Sequence, residues 1–163
     1  MYLVGIIQEI DSKAMKARVL FPDREGLVSP WMPLVVAWAQ LNRAYRMPDM
    51  GEQVACFMDD NMESGCIVGS IYGGSETPPE ESGDVTAVHF GDGTIVRHDR
   101  AAKTLAVFCS GTVSIAAEQL ITLSAPEVGF ISAGSLYVDC AGACTIKSKT
   151  HITMAAPRVD LNP

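Results

Sequence analysis

Two histidines lie close to acidic residues in the middle of the chain, and here the residue types could support chemistry. His89 and His98 flank a Gly-Asp-Gly segment at residues 91–93, and Asp99 directly follows His98. Such a group could exchange protons in acid–base catalysis, but no nucleophile or facing carboxylate pair accompanies it. We therefore predict turn and surface roles here, and no catalytic residue in the chain.

Candidate metal ligands are equally sparse. The acidic turn at residues 59–63 lacks the ligand spacing and the glycine of a calcium loop, which favours a solvated turn. Three copies of His151 could ring a transition-metal ion. However, Ile152 and Met154 are expected to face inward, and this alternation places His151 outward. The sequence thus predicts no metal site and no cofactor.

Cysteines supply the remaining nucleophiles. Their number is odd and no Cys-x-x-Cys pair occurs, which argues against a disulfide framework and against a zinc site. We expect them to be small buried hydrophobic residues. The five are Cys56, Cys66, Cys109, Cys140 and Cys144.

Three aromatic residues in the N-terminal part could stack on bases or sugars, as in oligonucleotide-binding (OB) folds. They are Trp31, Trp38 and Tyr45. Residues 1–70 hold six basic and nine acidic residues, and the whole chain carries a net charge of -7. Since polyphosphate partners require a basic surface, we expect no nucleic-acid partner. The aromatic residues should instead pack within the N-terminal domain and its subunit contacts.

The elements that must position these residues are predicted to be strands. The chain has 163 residues and an apolar fraction of 48%, enough for a packed core. No run approaches the roughly 20 apolar residues of a membrane span, and no signal peptide is evident, so we expect synthesis and assembly in a cytoplasm. Only residues 36–45 favour a helix or an ordered loop. Strands are predicted at residues 2–9, 14–21, 28–34, 53–58, 65–71, 85–90, 94–98 and 104–109.

These strands suggest a division of the chain. Five short strands suit an OB-fold barrel at residues 1–72. Glycines, prolines and acids mark a linker at residues 73–84. The next three strands form an antiparallel transition module at residues 85–110, and residues 111–163 form a separate region.

That last region contains a repeat of two apolar residues with one residue between them. Successive repeats begin 8, 7, 8, 8, 8 and 7 residues apart. Residues at i and i+2 share one face of a strand, so each repeat predicts a short strand with a dry and a wet face. The pairs are Val113/Ile115, Ile121/Leu123, Val128/Phe130, Leu136/Val138, Cys144/Ile146, Ile152/Met154 and Val159/Leu161.

One chain cannot stabilise such a ribbon, because its apolar side chains contribute less than the entropy lost in ordering the residues. The missing stabilisation would be supplied if several identical chains shared one apolar interior. We predict an all-β protein: an N-terminal OB-fold barrel followed by a homotrimeric, intertwined triangular β-prism (β-helix). The axial residues, which would form the trimer core, are Val113, Ile115, Ile121, Leu123, Val128, Phe130, Leu136, Val138, Ile146, Ile152 and Met154.

Several segments of the chain resemble the baseplate assembly protein V family. This family comprises the central spikes of contractile phage tails and of phage-tail-like bacteriocins. The resemblance spans roughly residues 3–110, and the matching segments are 5–11, 18–23, 26–34, 47–54, 65–72 and 91–94.

The resemblance implies a place at the baseplate centre of a virion or a phage-tail-like particle. The partners would be two further copies of the chain, the tail-tube hub and other baseplate proteins. The prism would be driven through the bacterial outer membrane when the sheath contracts. Some members hold a tip iron with a His-x-His motif, which His151-Ile152-Thr153 does not match. Members often carry a segment before the barrel, and its contacts are expected to be missing here.

The function expected is therefore mechanical puncture, without enzymatic activity. Val159 and Leu161 would face water at the tip, which predicts a separate small conical cap protein. Three alternatives remain. A type VI secretion spike would need a large N-terminal hub domain, an OB-type binding module would bind nucleic acid or sugar as a monomer, and a spike-borne hydrolase would digest peptidoglycan.

Overall fold

The computed structural model describes residues 1–73 and 76–160 and confirms that the fold is all-β. Part of the predicted linker, Gly74 and Ser75, lies outside the described residues, as does Leu161 of the predicted tip. The strands are β1 (Tyr2–Asp11), β2 (Lys16–Phe21), β3 (Leu27–Val28), β4 (Met32–Pro33), β5 (Gln53–Met58), β6 (Gly65–Ser70), β7 (Val85–His89), β8 (Ile95–Asp99) and β9 (Thr104–Phe108).

The chain divides into two compact units, Met1–Val113 and Ser114–Pro163. The first unit contains all nine strands and one short 3-10 turn at Pro22–Arg24. In the part of the chain that the structure describes, no helix is long and apolar enough to cross a membrane. The finer division of the sequence into barrel, linker and module stays a prediction.

The larger sheet has the strand order β3-β2-β1-β5-β6, and β4 also pairs with β2. All its strand pairs are antiparallel. The segment after β4 reaches the opposite end of this order, because Leu34 forms a parallel bridge with Ile67 and the Val35 N–H donates to the Ile67 carbonyl over 2.8 Å. Residues 32–35 therefore contact both β2 and β6.

Alternating apolar residues form the core of the first unit, as the period of two requires. Ala17, Val19 and Phe21 of β2 are buried, and so are Val54, Cys56 and Met58 of β5. Ile7, Met32 and Ile67 complete the buried apolar cluster. The alternation that predicted strands therefore also identifies the side that excludes water.

The predicted strand at residues 28–34 is divided into β3 and β4. Pro30 cannot donate a backbone hydrogen bond, so the ladder is interrupted there. Ser29 is fully buried at this corner, where its Oγ accepts from the Val19 N–H over 2.9 Å and donates to the Pro30 carbonyl over 2.8 Å. These bonds fix the path from β3 to β4.

The region predicted as a helix or ordered loop, residues 36–45, is an irregular loop. Ala39 and Arg43 form an isolated antiparallel bridge, and the Ala44 N–H donates to the Trp38 carbonyl over 3.0 Å. Leu41 lies between the two bridging residues and is 98% exposed. The apolar residues of this loop do not form one buried helix face, so the helical alternative was wrong.

Gly5 lies at a close approach between β1 and β2 in the larger sheet. A Cβ placed on Gly5 would lie 2.6 Å from the Leu20 carbonyl oxygen and would also overlap the Val19 side chain. Gly69 is also a strand glycine, and a Cβ placed there meets nothing within 4 Å. The two positions therefore differ in available space.

We predict that Gly5→Ala lowers the free energy of unfolding by about 1–3 kcal/mol, the usual effect of overpacking. Gly69→Ala is the matched control and should change stability by less than about 1 kcal/mol, since no atom must move. Urea denaturation followed by circular dichroism measures both. Equal effects of the two substitutions would contradict the steric explanation.

Candidate functional site

Of the residues that suggested acid–base chemistry, His89 and Asp99 belong to a network of ion pairs on the three-stranded sheet β7-β8-β9. His98 is exposed on β8 and is not part of this network. Arg97 lies at its centre: its Nε donates to Glu80 Oε1 over 3.1 Å and its Nη1 to Asp99 Oδ2 over 3.2 Å. His89 Nε2 lies 3.3 Å from the same Glu80 oxygen. We call Glu80, His89, Arg97 and Asp99 the polar cluster.

The two carboxylates of the polar cluster, Glu80 and Asp99, have structural roles. The hydrogen bond from Arg97 lowers the pKa of Glu80 below its ordinary value, so this carboxylate stays ionised. Asp99 accepts the Ala102 N–H over 2.9 Å, and this bond is the main reason its pKa is also lowered. A general base needs a pKa raised toward neutrality. Neither carboxylate is tuned for that task.

Glu80 was not identified from the sequence. The acidic stretch around it predicted a linker with nothing to bury, and two other acids, Glu76 and Glu81, lie near it. The structure instead places Glu80 against β7 and β8, with its side chain 26% exposed. Asp84 of the same stretch pairs with Arg100. Residues 80–84 are thus held to the sheet by two arginines.

Asp92 belongs to the turn between β7 and β8, as predicted. Its Oδ1 accepts the Thr94 N–H over 2.8 Å, and this bond lowers its pKa. Gly93 has a φ of 85° in this turn, a value that glycine adopts without strain. The Gly-Asp-Gly segment is therefore explained by the β-turn alone.

The three aromatic residues do not converge on a binding site. A cavity of about 230 Å³ lies between the loop 34–48 and β6, and Tyr45 contributes to its lining together with Leu34 and Ile67. Trp31 and Trp38 do not line it and are 43% and 61% exposed. This volume is below the roughly 300–1,000 Å³ of ordinary ligand pockets. The expectation that these aromatic residues pack within the N-terminal domain was therefore wrong for the single chain. Their expected contacts with other subunits stay a prediction.

The residues considered as metal ligands, in the acidic turn at residues 59–63 and at His151, belong to no recognisable metal site among the described residues. Among residues 1–73 and 76–160 no group of three or more His, Cys, Asp or Glu side chains is arranged to hold a metal ion. In the acidic turn, Asp59 Oδ1 accepts the Glu63 N–H over 2.9 Å. His151 is exposed.

The largest exposed apolar surface lies in the second unit. Residues 114–160, which we call the C-terminal ribbon, contain no strand or helix, and all of them are exposed. Side-chain hydrogen bonds of Ser132, Ser148 and Arg158 join residues only two or three positions apart. Within one chain, therefore, the ribbon does not form the strands that its repeat predicts.

The axial residues are exposed in the single chain. Their exposed fractions range from 48% at Val128 to 75% at Ile115. Val159 of the predicted tip is 49% exposed. Large apolar side chains outside the repeat, Leu120 at 77% and Ile131 at 101%, were missed because they do not follow its phase. Large apolar side chains exposed in this number are unusual for the surface of a monomeric protein.

The cysteines differ from the sequence expectation. Cys56 is buried, Cys66 and Cys109 are partly exposed, and Cys140 and Cys144 are exposed. Burial raises the pKa of the Cys56 thiol to about 12. The expectation of burial thus holds for Cys56 and was wrong, within the single chain, for the two cysteines of the ribbon.

Comparison with known proteins provides no family assignment. Neither a scan against protein-family models nor a search of curated proteins found a match for this chain. Its function must therefore be argued from its own residues.

The polar cluster predicts a specific dependence of stability on pH. The lowered pKa of Glu80 means that its contribution is present above the ordinary value of 4.5 and is lost as the pH falls through the lower folded-state value. Glu80→Gln should therefore lower the melting temperature at pH 7. The difference in melting temperature between this variant and the wild type should shrink toward zero as the pH falls from 4.5 through the folded-state pKa of Glu80.

Glu81→Gln is the matched control, since it removes the same charge one residue away and leaves the polar cluster intact. Thermal melting of the three proteins between pH 7 and pH 3 tests the prediction. A difference between wild type and Glu80→Gln that persists unchanged in acid would contradict it.

Proposed function

We propose that this protein is the central spike of a contractile tail baseplate, a homotrimer that punctures the bacterial outer membrane when the sheath contracts. The observation that carries the proposal is the C-terminal ribbon. Its apolar residues recur with the period of a β-strand, yet within one chain they take part in no backbone hydrogen-bond ladder and in no buried core. Three intertwined copies would supply both.

The accessible surface supports association. The chain exposes 13908 Å², whereas a monomeric protein of 17.4 kDa exposes about 7,900 Å². A difference of this size is typical of a subunit whose folding is completed by its partners. The residues that account for it in the ribbon include Phe130, Leu136 and Val138, each more than 60% exposed.

The three-stranded sheet provides a second surface of the same kind. Val88, Val96 and Val107 lie side by side in the register of β7, β8 and β9. All three are at least 38% exposed, and Leu105 beside them is 71% exposed. The opposite face carries Arg97 and the rest of the polar cluster. The sheet thus has one face with the charged cluster and one face where these apolar side chains lie beside Thr86 and His98. The second face is the one expected to meet another copy.

The first unit fits the platform of such a spike. Under this proposal the larger sheet is an OB-type barrel, which residues 32–35 close by linking β2 to β6. Segments that carry the family resemblance, such as residues 18–23 and 26–34, lie on this sheet and its corner. A barrel held by its own core would keep its shape while the ribbon transmits force.

The mechanism follows from the sparse charge of the ribbon. Residues 111–163 contain seven charged side chains and many Ser and Thr residues. A prism with paired backbones and an apolar interior would be stiff, and its neutral surface would lose little hydration on entering a membrane. The lowered pKa values of Glu80 and Asp99 in the polar cluster do not favour the hydrolase alternative. The alternative of a type VI secretion spike would use the same ribbon and the same sheet surface. It would differ from the proposal in needing a large N-terminal hub domain.

We predict that replacing Ile121 and Leu123 with Asp converts the trimer to monomers, because the charges would be buried without partners in the shared interior. The first unit should stay folded, since its core uses no ribbon residue. Thr122→Asp is the matched control, as residue 122 occupies the opposite face of the same strand. Sedimentation equilibrium gives the masses, and a trimer unchanged by the double substitution would refute the interpretation.

A second prediction concerns location. Antibodies raised against this chain should bind the centre of the baseplate in contractile-tail particles isolated from producing cells, as seen by electron microscopy. Particles assembled with the Ile121→Asp, Leu123→Asp variant should lose outer-membrane permeabilisation. Labelling of the sheath, or permeabilisation that is unaffected, would contradict the proposal.

A further inference from the structure

Both outer strands of the sheet β7-β8-β9 have an open edge. The strand order leaves β7 and β9 without a second neighbouring strand among the described residues. Neither strand contains a proline, a lysine, an arginine or an acidic residue. Prolines and charged side chains are the usual means by which proteins protect an exposed edge from pairing. Both edges are therefore suited to pair with another chain.

The ladder between β7 and β8 determines which backbone groups of β7 point outward. At one end of this ladder the Arg100 N–H donates to the Asp84 carbonyl over 3.1 Å. Bonded and non-bonded residue pairs alternate in an antiparallel ladder, so the even-numbered residues of β7 bond to β8. The backbone groups of residues 85, 87 and 89 therefore point to the open edge.

The same alternation determines the outward groups of β9. The even-numbered residues of β8 bond to β7, so its odd-numbered residues bond to β9, where their register partners are residues 104, 106 and 108. The N–H and carbonyl groups of Leu105 and Val107 consequently point away from β8. The open edge of β9 thus presents two donors and two acceptors.

We propose that β9 pairs in parallel with β7 of a partner subunit, so that the three-stranded sheets of the copies join into one ring. This inference rests on the homotrimer of the proposed function and names a second contact within it. β7 and β9 run in the same direction, since both are antiparallel to β8. Rotation about an axis along the strands preserves that direction. Pairing of β9 with β9, or of β7 with β7, is a twofold contact and does not close three copies.

The outward groups of the two edges match in one register. In a parallel ladder a residue bonds to the two neighbours of the residue opposite it. With Leu105 opposite Thr86 of the partner subunit, the Leu105 N–H donates to the partner's Val85 carbonyl. The Leu105 carbonyl accepts the N–H of the partner's Ala87. Val107 bonds to the next two outward residues in the same way.

Two features of the chain fit this register. The Val85 N–H already donates to the Ser82 carbonyl over 3.2 Å, and the register uses only the carbonyl of Val85. Lys103 directly precedes β9 and Asp84 directly precedes β7, so Lys103 lies beside Asp84 of the partner subunit. Asp84 also pairs with Arg100 in its own chain, and its side chain is still 44% exposed. Opposite charges at a contact favour one orientation and one register.

The pairing also extends the apolar row of the sheet. Val88, Val96 and Val107 lie side by side within one chain and are between 38% and 61% exposed. In the proposed register Val107 lies opposite Val88 of the partner subunit. The row therefore continues from each copy into the next, and the two outer valines each gain an apolar neighbour.

The test places cysteines at these two opposite positions. Val88→Cys and Val107→Cys are combined in the full-length chain and oxidised with copper phenanthroline. Within one chain, residues 88 and 107 are separated by β8 and lie about 10 Å apart. A disulfide requires Cα atoms within about 7 Å, so a bond between these positions joins different copies. We expect loss of the monomer band and covalent trimers on a non-reducing gel. The cysteines that are not buried are replaced by alanine in every variant: Cys66, Cys109, Cys140 and Cys144.

Three further variants test the register. Thr86→Cys with Leu105→Cys is the second pair of opposite positions and should also cross-link. Val88→Cys with Leu105→Cys is the matched control, because it uses the same strands but lies two residues out of register, about 8 Å apart. It should not cross-link. Val107→Cys alone should give no covalent dimer, because β9 does not meet β9.

Sedimentation equilibrium of the same proteins distinguishes this inference from the spike proposal. Trimers that cross-link through neither pair of opposite positions overturn the edge pairing and leave the homotrimer intact. Covalent dimers of the Val107→Cys variant also overturn it, because they show a twofold contact of β9. A wild-type protein that sediments as a monomer refutes the homotrimer and, with it, the edge pairing.

Discussion

Exclusion of water from the apolar residues of the C-terminal ribbon is the constraint on which the proposed assembly depends. A folded domain normally buries such residues against its own chain, as β2 and β5 do with Val19 and Val54. The ribbon has the same alternating pattern but no intrachain surface to complete it. Since apolar surface is driven from water wherever it lies, the proposed assembly assigns the remaining burial to other copies of the chain.

The first unit shows how the same chain behaves when this constraint is met locally. Its core is a single cluster, and its one buried polar side chain, Ser29, makes two hydrogen bonds. No buried side-chain nitrogen or oxygen of the described residues lacks a partner. The larger sheet therefore meets both requirements within its own chain. The sheet β7-β8-β9 of the same unit resembles the ribbon instead, since Val88, Val107 and Leu105 stay exposed.

The sequence predicted the strands of the first unit well because their signal is local. The alternation of Ala17, Val19 and Phe21 and the turn residues at 91–93 determine structure within a few positions. The positions of Glu80 and Leu34 depend instead on long-range contacts, with Arg97 and Ile67 respectively, and no local pattern encodes those. Pro30 is a local signal for the break between β3 and β4, but the strand predicted at residues 28–34 continued through it.

For the ribbon, the sequence and the structure of the single chain give different information. The period of Ile121/Leu123 and Leu136/Val138 predicts which side chains share a face, while the single chain shows that none of these faces is covered. Strand pairing requires a neighbouring backbone, and the described part of the ribbon pairs with none in its own chain. In the proposed assembly, two further copies would supply that backbone and cover the axial residues.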